Sequence, residues 1–331
     1  MKTATIYRLL FVTAFTGILF SCNKSSSSTS NSATSNTSLQ TASDDQTQAS
    51  NESDLAFDDV NISLASNNTV TGASQPSAIR HTEIDGPGGD SAQAPICDAT
   101  ISVDSTSNPR TLTITYNGTN CALNRTRTGS VVVSIDSGVQ WRNQGAVVTV
   151  TFNNLTVTSL ITNKTIILNG THTYTNVSGG SLITLPNDPG GSITHTITSS
   201  NMSVTFSNNA QRTWNVARQR VFTYNDGYVV STTGTGVVGS TTGVSEWGED
   251  RFGDNFQVSI VQPRVISESC GWQMTSGQVE IINTFGITTV TYGLNASGAA
   301  TGCPVGSATY YFELSWVSAL NGKTYTFIMP Y

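Results

Sequence analysis

From Cys97 to the C-terminus, apolar and polar positions alternate with a period of two. Leu112, Ile114 and Tyr116 alternate with Thr111, Thr113 and Thr115, and Val131, Val133 and Ile135 form one face of the next run. Ala146, Val148, Val150 and Phe152 follow, then Met202, Val204 and Phe206, then Phe256, Val258 and Ile260. Tyr310, Phe312, Leu314 and Trp316, and finally Tyr325, Phe327 and Met329, repeat the pattern near the end. Strict alternation buries one face of a strand and wets the other, which is the mark of antiparallel sheet. The Thr rows on the other face suit strands by propensity. Asn117-Gly118, Asn169-Gly170, Asp226-Gly227 and Asn321-Gly322 read as hairpin turns, because both central residues tolerate positive φ. No window after Cys97 carries a helical stripe. The expectation for residues 96–331 is an all-β domain of antiparallel meander or sandwich-like sheets.

Two stretches of this domain echo each other, near 97–135 and 270–316. Each has a cysteine (Cys97 or Cys270), a strand with Thr-Tyr (Tyr116 or Tyr292), a Gly-containing turn, a second cysteine (Cys121 or Cys303) and a further strand. The echo predicts two related sub-structures. It also predicts the pairs Cys97–Cys121 and Cys270–Cys303, chosen from the three pairings that four cysteines allow. A four-cysteine zinc site is the rival, but such sites use close C-x2-C pairs and none is present.

The N-terminus has a different pattern. Lys2 and Arg8 precede an apolar run from Leu9 to Phe20, then Ser21 and Cys22. A charged start, an apolar centre and a small residue make a secretory signal over residues 1–21. The run falls short of the roughly twenty residues that span a bilayer. Leu19-Phe20-Ser21-Cys22 resembles the lipobox of bacterial lipoproteins, with a bulky Phe at its second position. That resemblance implies cleavage before Cys22 and lipid on its thiol and amine. More than one acyl chain is needed for stable anchoring. Residues 22–53 are Ser, Thr, Asn, Gln and Ala with few large apolar residues, and read as a flexible lipid-anchored linker. Residues 54–95 read as a short helix near Asp54–Val60 followed by a Gly/Pro linker with Pro87-Gly88-Gly89.

Charged residues make up only 11% of the 331-residue chain and the net charge is −6, so no basic stripe exists for nucleic acid. Cysteines in an exported protein belong to an oxidising compartment, which favours disulfides.

Several motifs carry a wider resemblance. They are Tyr116-Asn117-Gly118-Thr119-Asn120-Cys121, Arg125 to Gly129, Val131-Val132-Val133, Val150 to Asn154, Arg212-Thr213-Trp214 and Cys270-Gly271-Trp272 to Gly277. Together they resemble an uncharacterised family of Bacteroidota envelope lipoproteins, over most of Cys97 to the C-terminus. The resemblance implies an outer-membrane lipoprotein, periplasmic or surface facing, and it implies no activity. No aspartate follows Cys22 as an inner-membrane retention signal would require. Asp90-Ser91-Ala92 and Asp104-Ser105-Thr106 resemble the O-glycosylation signal of that phylum.

Candidate chemistry is sparse. Glu246, Trp247, Glu249, Asp250 and Asp254 form the densest charge, with Arg251 and Phe252 among them. Paired carboxylates beside aromatics suit glycoside chemistry or Ca²⁺ binding; a solvated hairpin tip suits the same residues. His172 and His195 sit in Thr-His-Thr runs, and a metal there lacks a third and fourth ligand. Arg125, Arg127, Arg142, Arg212, Arg218 and Arg220, near Trp141 and Trp214, suggest either an anionic glycan or lipid surface or charged protection of strand edges. No catalytic motif, metal site or cofactor emerges. The leading expectation is a membrane-anchored lipoprotein with a non-catalytic structural or binding role, partnered by a glycan or an envelope protein. A carbohydrate-active enzyme using residues 246–254 and a lipid-binding β-protein are the alternatives.

Overall fold

The computed structural model describes residues 28–67, 96–284, 286–303, 309–317 and 321–331. Its described residues form one α-helix, two short 3-10 helices (Leu182–Asn187 and Glu268–Cys270) and one large, mainly antiparallel sheet. Helix α1 is Ser28–Ser66. The strands are β1 Ala99–Asp104, β2 Arg110–Thr119, β3 Arg125–Ile135, β4 Ala146–Ser159, β5 Thr165–Asn176, β6 Ile193–Phe206, β7 Gln211–Tyr224 and β8 Tyr228–Gly234. They continue as β9 Gly236–Val238, β10 Thr241–Glu249, β11 Asn255–Ser267, β12 Gln273–Asn283, β13 Gly286–Leu294, β14 Tyr311–Val317 and β15 Thr324–Pro330. The order runs β1 to β7, then β10 to β15, with β8 bridging β7 and β11 and β9 beside β10. Chain neighbours are sheet neighbours almost throughout, as the alternation and short connections predict.

The apolar positions read from the sequence face inward. Leu112, Ile114, Val131, Val133, Val148, Val150, Phe152, Met202, Val204, Phe312 and Leu314 are buried, whereas Val147 is exposed. The last strand departs from the pattern, with Phe327 facing solvent at 39% exposure. Two expected turns lie inside strands instead. Asn117-Gly118 belongs to β2 and Asn169-Gly170 to β5. Asp226-Gly227 does join β7 to β8.

The reason for Asn169-Gly170 is a row of bulges. The register slips at Thr128/Ser130, Phe152/Leu155, Asn169/His172 and Ser199/Met202, on four successive strand pairs. Each bulge bends and twists its strand, and a row of them curls the sheet. Gly129 shows why glycine is needed there: its φ is +98°, and a Cβ would lie 2.2 Å from the Asn154 carbonyl oxygen. The sheet curls without closing. Among the described residues, β1 pairs only with β2 and β15 only with β14.

The helix occupies the inside of the curl. At 1.5 Å per residue it is about 58 Å long. The reading of 22–53 as a flexible linker is therefore corrected from Ser28 onward, and the short helix expected near Asp54–Val60 is part of this longer one. Composition misled here because a Ser/Thr/Asn-rich segment has weak helix propensity and no apolar stripe. From Leu39 onward the helix forms because it is enclosed. Backbone groups away from water must be satisfied, and a helix satisfies its own. Polar side chains bond back along it, as Thr47 Oγ1 does to Ser43 O (2.9 Å) and Asn61 Nδ2 to Phe57 O (3.2 Å). Phe57, Val60 and Leu64 join the same core cluster as the sheet.

Both predicted disulfides are present, Cys97–Cys121 and Cys270–Cys303, with Cα separations of 5.3 and 4.8 Å. Each staples the open end of a hairpin, β1–β2 in one case and β12–β13 in the other. Cys22 lies outside the described residues, as does Asp90.

Candidate functional site

α1 carries six acidic residues from Asp44 to Asp59 and no lysine or arginine. The inner wall of the sheet supplies the cations. Alternation places Arg127, Arg212, Arg218, Arg220 and Arg264 inward on β3, β7 and β11, where all five are buried. Water is excluded, so each charge requires a partner. Seven ion pairs join the two elements among the described residues: Asp44–Lys164, Asp45–Arg251, Glu52–Arg125, Asp54–Arg218, Asp54–Arg264, Asp58–Arg220 and Asp59–Arg127. Their sequence separations put one partner on the helix and the other far along the sheet, so no local pattern announces them.

Asp54 is the centre of this network. Its two oxygens accept from Arg218 and Arg264. Arg218 also donates to Glu246 of β10, and Ser50 Oγ donates to the same Glu246 oxygen at 2.8 Å. Burial alone would raise the Asp54 carboxyl, but Arg218, Arg264 and Arg220 outweigh it and hold the group below its ordinary value. Asp58 differs. Burial dominates its single arginine contact, Arg220 at 2.9 Å, and pushes its carboxyl up to about 7. Arg127 is gripped on both sides, by Asp98 at 2.6 and 2.7 Å and by Asp59 at 2.6 Å. Tyr116 lies under its guanidinium at 4.5 Å and donates its hydroxyl to Asp59 at 2.9 Å.

The residues proposed for chemistry from sequence do not converge. Glu246 is buried in the ionic core, Glu249 is exposed at the end of β10, and Trp247 and Asp254 are partly exposed. Asp250 ties up its own turn, accepting from the Phe252 and Asp254 amides at 2.8 and 3.0 Å. Arg251 faces Asp45 of the helix. His172 and His195 are placed apart: in the β5–β6 register His172 faces Ser199 and His195 faces Asn176. That offset of four residues is about 13 Å along a strand. His195 packs against Trp141 and Phe222, both at 4.9 Å, and His172 against Phe152 at 5.2 Å. Burial drives both imidazoles down to about 3, so both are neutral packing groups at ordinary pH. Among the described residues no group of three His, Cys, Asp or Glu could hold a metal ion.

The arginine cluster is corrected in the same way. Arg125, Arg127, Arg212, Arg218 and Arg220 are gathered as expected, but their common surface is internal and met by the helix; they form no glycan-facing or edge-protecting patch. Arg142 stands apart on the surface. Sequence reading missed Arg264 and all the helix carboxylates except as polar punctuation, and it placed Arg251 in an acidic loop rather than against Asp45. The available signal was a segment with acids and no cations, followed by a sheet with arginines at inward positions.

One stripe of the helix is left partly open. Thr41, Asp44, Gln48, Asn51 and Leu55 are half-buried while the residues between them are buried. The spacing of three and four marks a single helix face. Three clefts lie along it, so the curled wall is interrupted there. The middle of the stripe faces the β4–β5 turn on one lip and the ends of β14 and β15 on the other. The largest cleft, about 360 Å³, opens at the N-terminal half of the stripe beside Lys164, Ser207, Arg251 and Met329. No family model, curated protein or solved structure matches this chain.

Proposed function

We propose that this chain is an outer-membrane lipoprotein, anchored through Cys22, whose β-domain has a non-catalytic structural or binding role in the envelope. The observation that carries the non-catalytic reading is the filled interior. A curled antiparallel sheet that works as a carrier or enzyme uses its inside as the ligand cavity. Here α1 fills that space, and its carboxylates are committed to arginines or, for Asp44, to Lys164. The glycosidase alternative needs two free carboxyl groups flanking one substrate bond. Glu246 is engaged by Arg218, Ser50 and Gln46, and Glu249 faces solvent on another side of the strand. A lipid carrier needs an empty apolar cavity, whereas the helix occupies this interior and pairs its carboxylates with the inward arginines. The anchor rests on the charged, apolar and small-residue order that ends at Cys22.

Two experiments test the proposal. Wild-type protein should fractionate with outer membranes and the Cys22→Ala protein should not; equal membrane recovery overturns the anchor. Protease shaving of intact cells distinguishes the surface face from the periplasmic one. The folded chain should turn over no substrate in a broad glycoside-hydrolase screen. Turnover that Glu249→Gln abolishes overturns the non-catalytic role.

A further inference from the structure

The largest cleft along the open stripe has the chemistry of a ligand site rather than a packing defect. Its volume, about 360 Å³, lies in the range of small-molecule sites. Its charges are already paired across the lips. Asp44 of the helix meets Lys164 of the β4–β5 turn, and Asp45 meets Arg251 of the β10–β11 turn. Arg251 is held further by Phe206, whose ring lies 4.3 Å beneath the guanidinium. A free anion or cation would have to break one of these pairs to gain its own. The remaining polar groups are uncharged amides and hydroxyls: Gln40, Thr41, Gln48, Thr165 and Ser207. Each can both donate and accept, which matches a hydroxyl group. Phe206 and Met329 contribute the apolar part of the wall.

We infer that this cleft binds a neutral, multiply hydroxylated ligand, a saccharide, with Gln48 and the adjacent hydroxyls reading its hydroxyl groups. The paired charges serve as fixed dipoles at the rim, and the ligand enters at the interruption in the wall without displacing the helix. Burial pushes the Asp45 carboxyl up to about 6 despite its bond to Arg251.

This inference rests on the binding reading proposed above, and one experiment separates their failures. Full-length protein is titrated calorimetrically with neutral tetrasaccharides of glucose, xylose and mannose, and with an anionic oligogalacturonide. At least one neutral oligosaccharide should bind. Ser207→Trp, a turn substitution that fills the cleft mouth, should weaken binding by about tenfold or more, as should Gln48→Ala, which leaves the fold's ion pairs intact. Unfolding midpoints close to wild type verify that both variants are folded. No binding by any neutral oligosaccharide at millimolar concentration, binding of the anionic one alone, or affinity unchanged in both variants overturns the site and leaves the non-catalytic role standing. Hydrolysis of a ligand that still binds overturns the non-catalytic role and leaves the site.

Discussion

Removing one carboxylate from the helix should cost as much as truncating a large buried apolar side chain. Asp54 is 2% exposed and accepts from both Arg218 and Arg264. In Asp54→Ala, Arg218 keeps Glu246, but Arg264 is left with hydroxyl partners such as Ser50, at 2.6 Å, and no carboxylate. Breaking a buried pair by deleting one partner costs about 3–5 kcal/mol, because the other charge stays desolvated. Against a total stability of about 5–15 kcal/mol this is a large fraction. For a domain of this size it corresponds to a fall of roughly 6–20 °C in Tm. The assay is urea unfolding monitored by tryptophan fluorescence, with the change read from the midpoint at constant slope. The decisive comparison is Asp54→Leu combined with Arg264→Met. With both partners of that contact gone, no uncompensated charge remains on Arg264, so the double variant should recover much of the loss. The coupling follows from a double-mutant cycle in which Asp54→Leu and Arg264→Met are also made singly. A loss below about 1 kcal/mol for Asp54→Ala, the size of an exposed pair, would refute the argument. So would a double variant no more stable than Asp54→Leu alone.

Three other outcomes follow from the same interior. Stability should be nearly flat between pH 6 and 4 and collapse below about 4. As pH falls from 6.5, the unfolded chain protonates His172 and His195 while the folded chain, with both near 3, does not, so stability is lost. Asp58 and Asp45, raised to about 7 and about 6, protonate first in the folded chain and offset this until the unfolded carboxyls titrate near 3.8. A steady loss above about 2 kcal/mol per pH unit from pH 6 to 4, by chemical denaturation, would contradict the opposition. Arg220→Met should cost less at pH 5 than at pH 8, because Asp58 is already neutral at the lower pH; equal costs would show that Asp58 ionises normally. Reducing both disulfides should remove about 3 kcal/mol each, a drop of roughly 12–24 °C in Tm. A calorimetric shift under about 5 °C would mean that the hairpin ends are held by the sheet alone.

The sequence alone determined the sheet. Period-two alternation is a local property, and the inward positions Ile114, Val133, Val150 and Val204 follow from it one residue at a time. The hairpin-like echo likewise carried the pairing of Cys97 with Cys121 and Cys270 with Cys303, since each bridge spans neighbouring strands. The helix could not be read in this way. Outside the short stretch Asp54–Val60, nothing within residues 28–66 favours one: the composition is polar and the apolar residues fit no helical face. Its conformation is imposed by enclosure, and enclosure depends on a row of bulges that appears in the sequence only as Asn and Gly, which equally spell turns. For the same reason Asn169-Gly170 was legible as a turn and is a bulge. The ionic core was decided by tertiary structure alone. Arg218, Arg220 and Arg264 look like surface charges on half-wet strands until a helix bearing Asp54 and Asp58 lies against them, because charge pairing depends on distance in space and these partners are more than 150 residues apart.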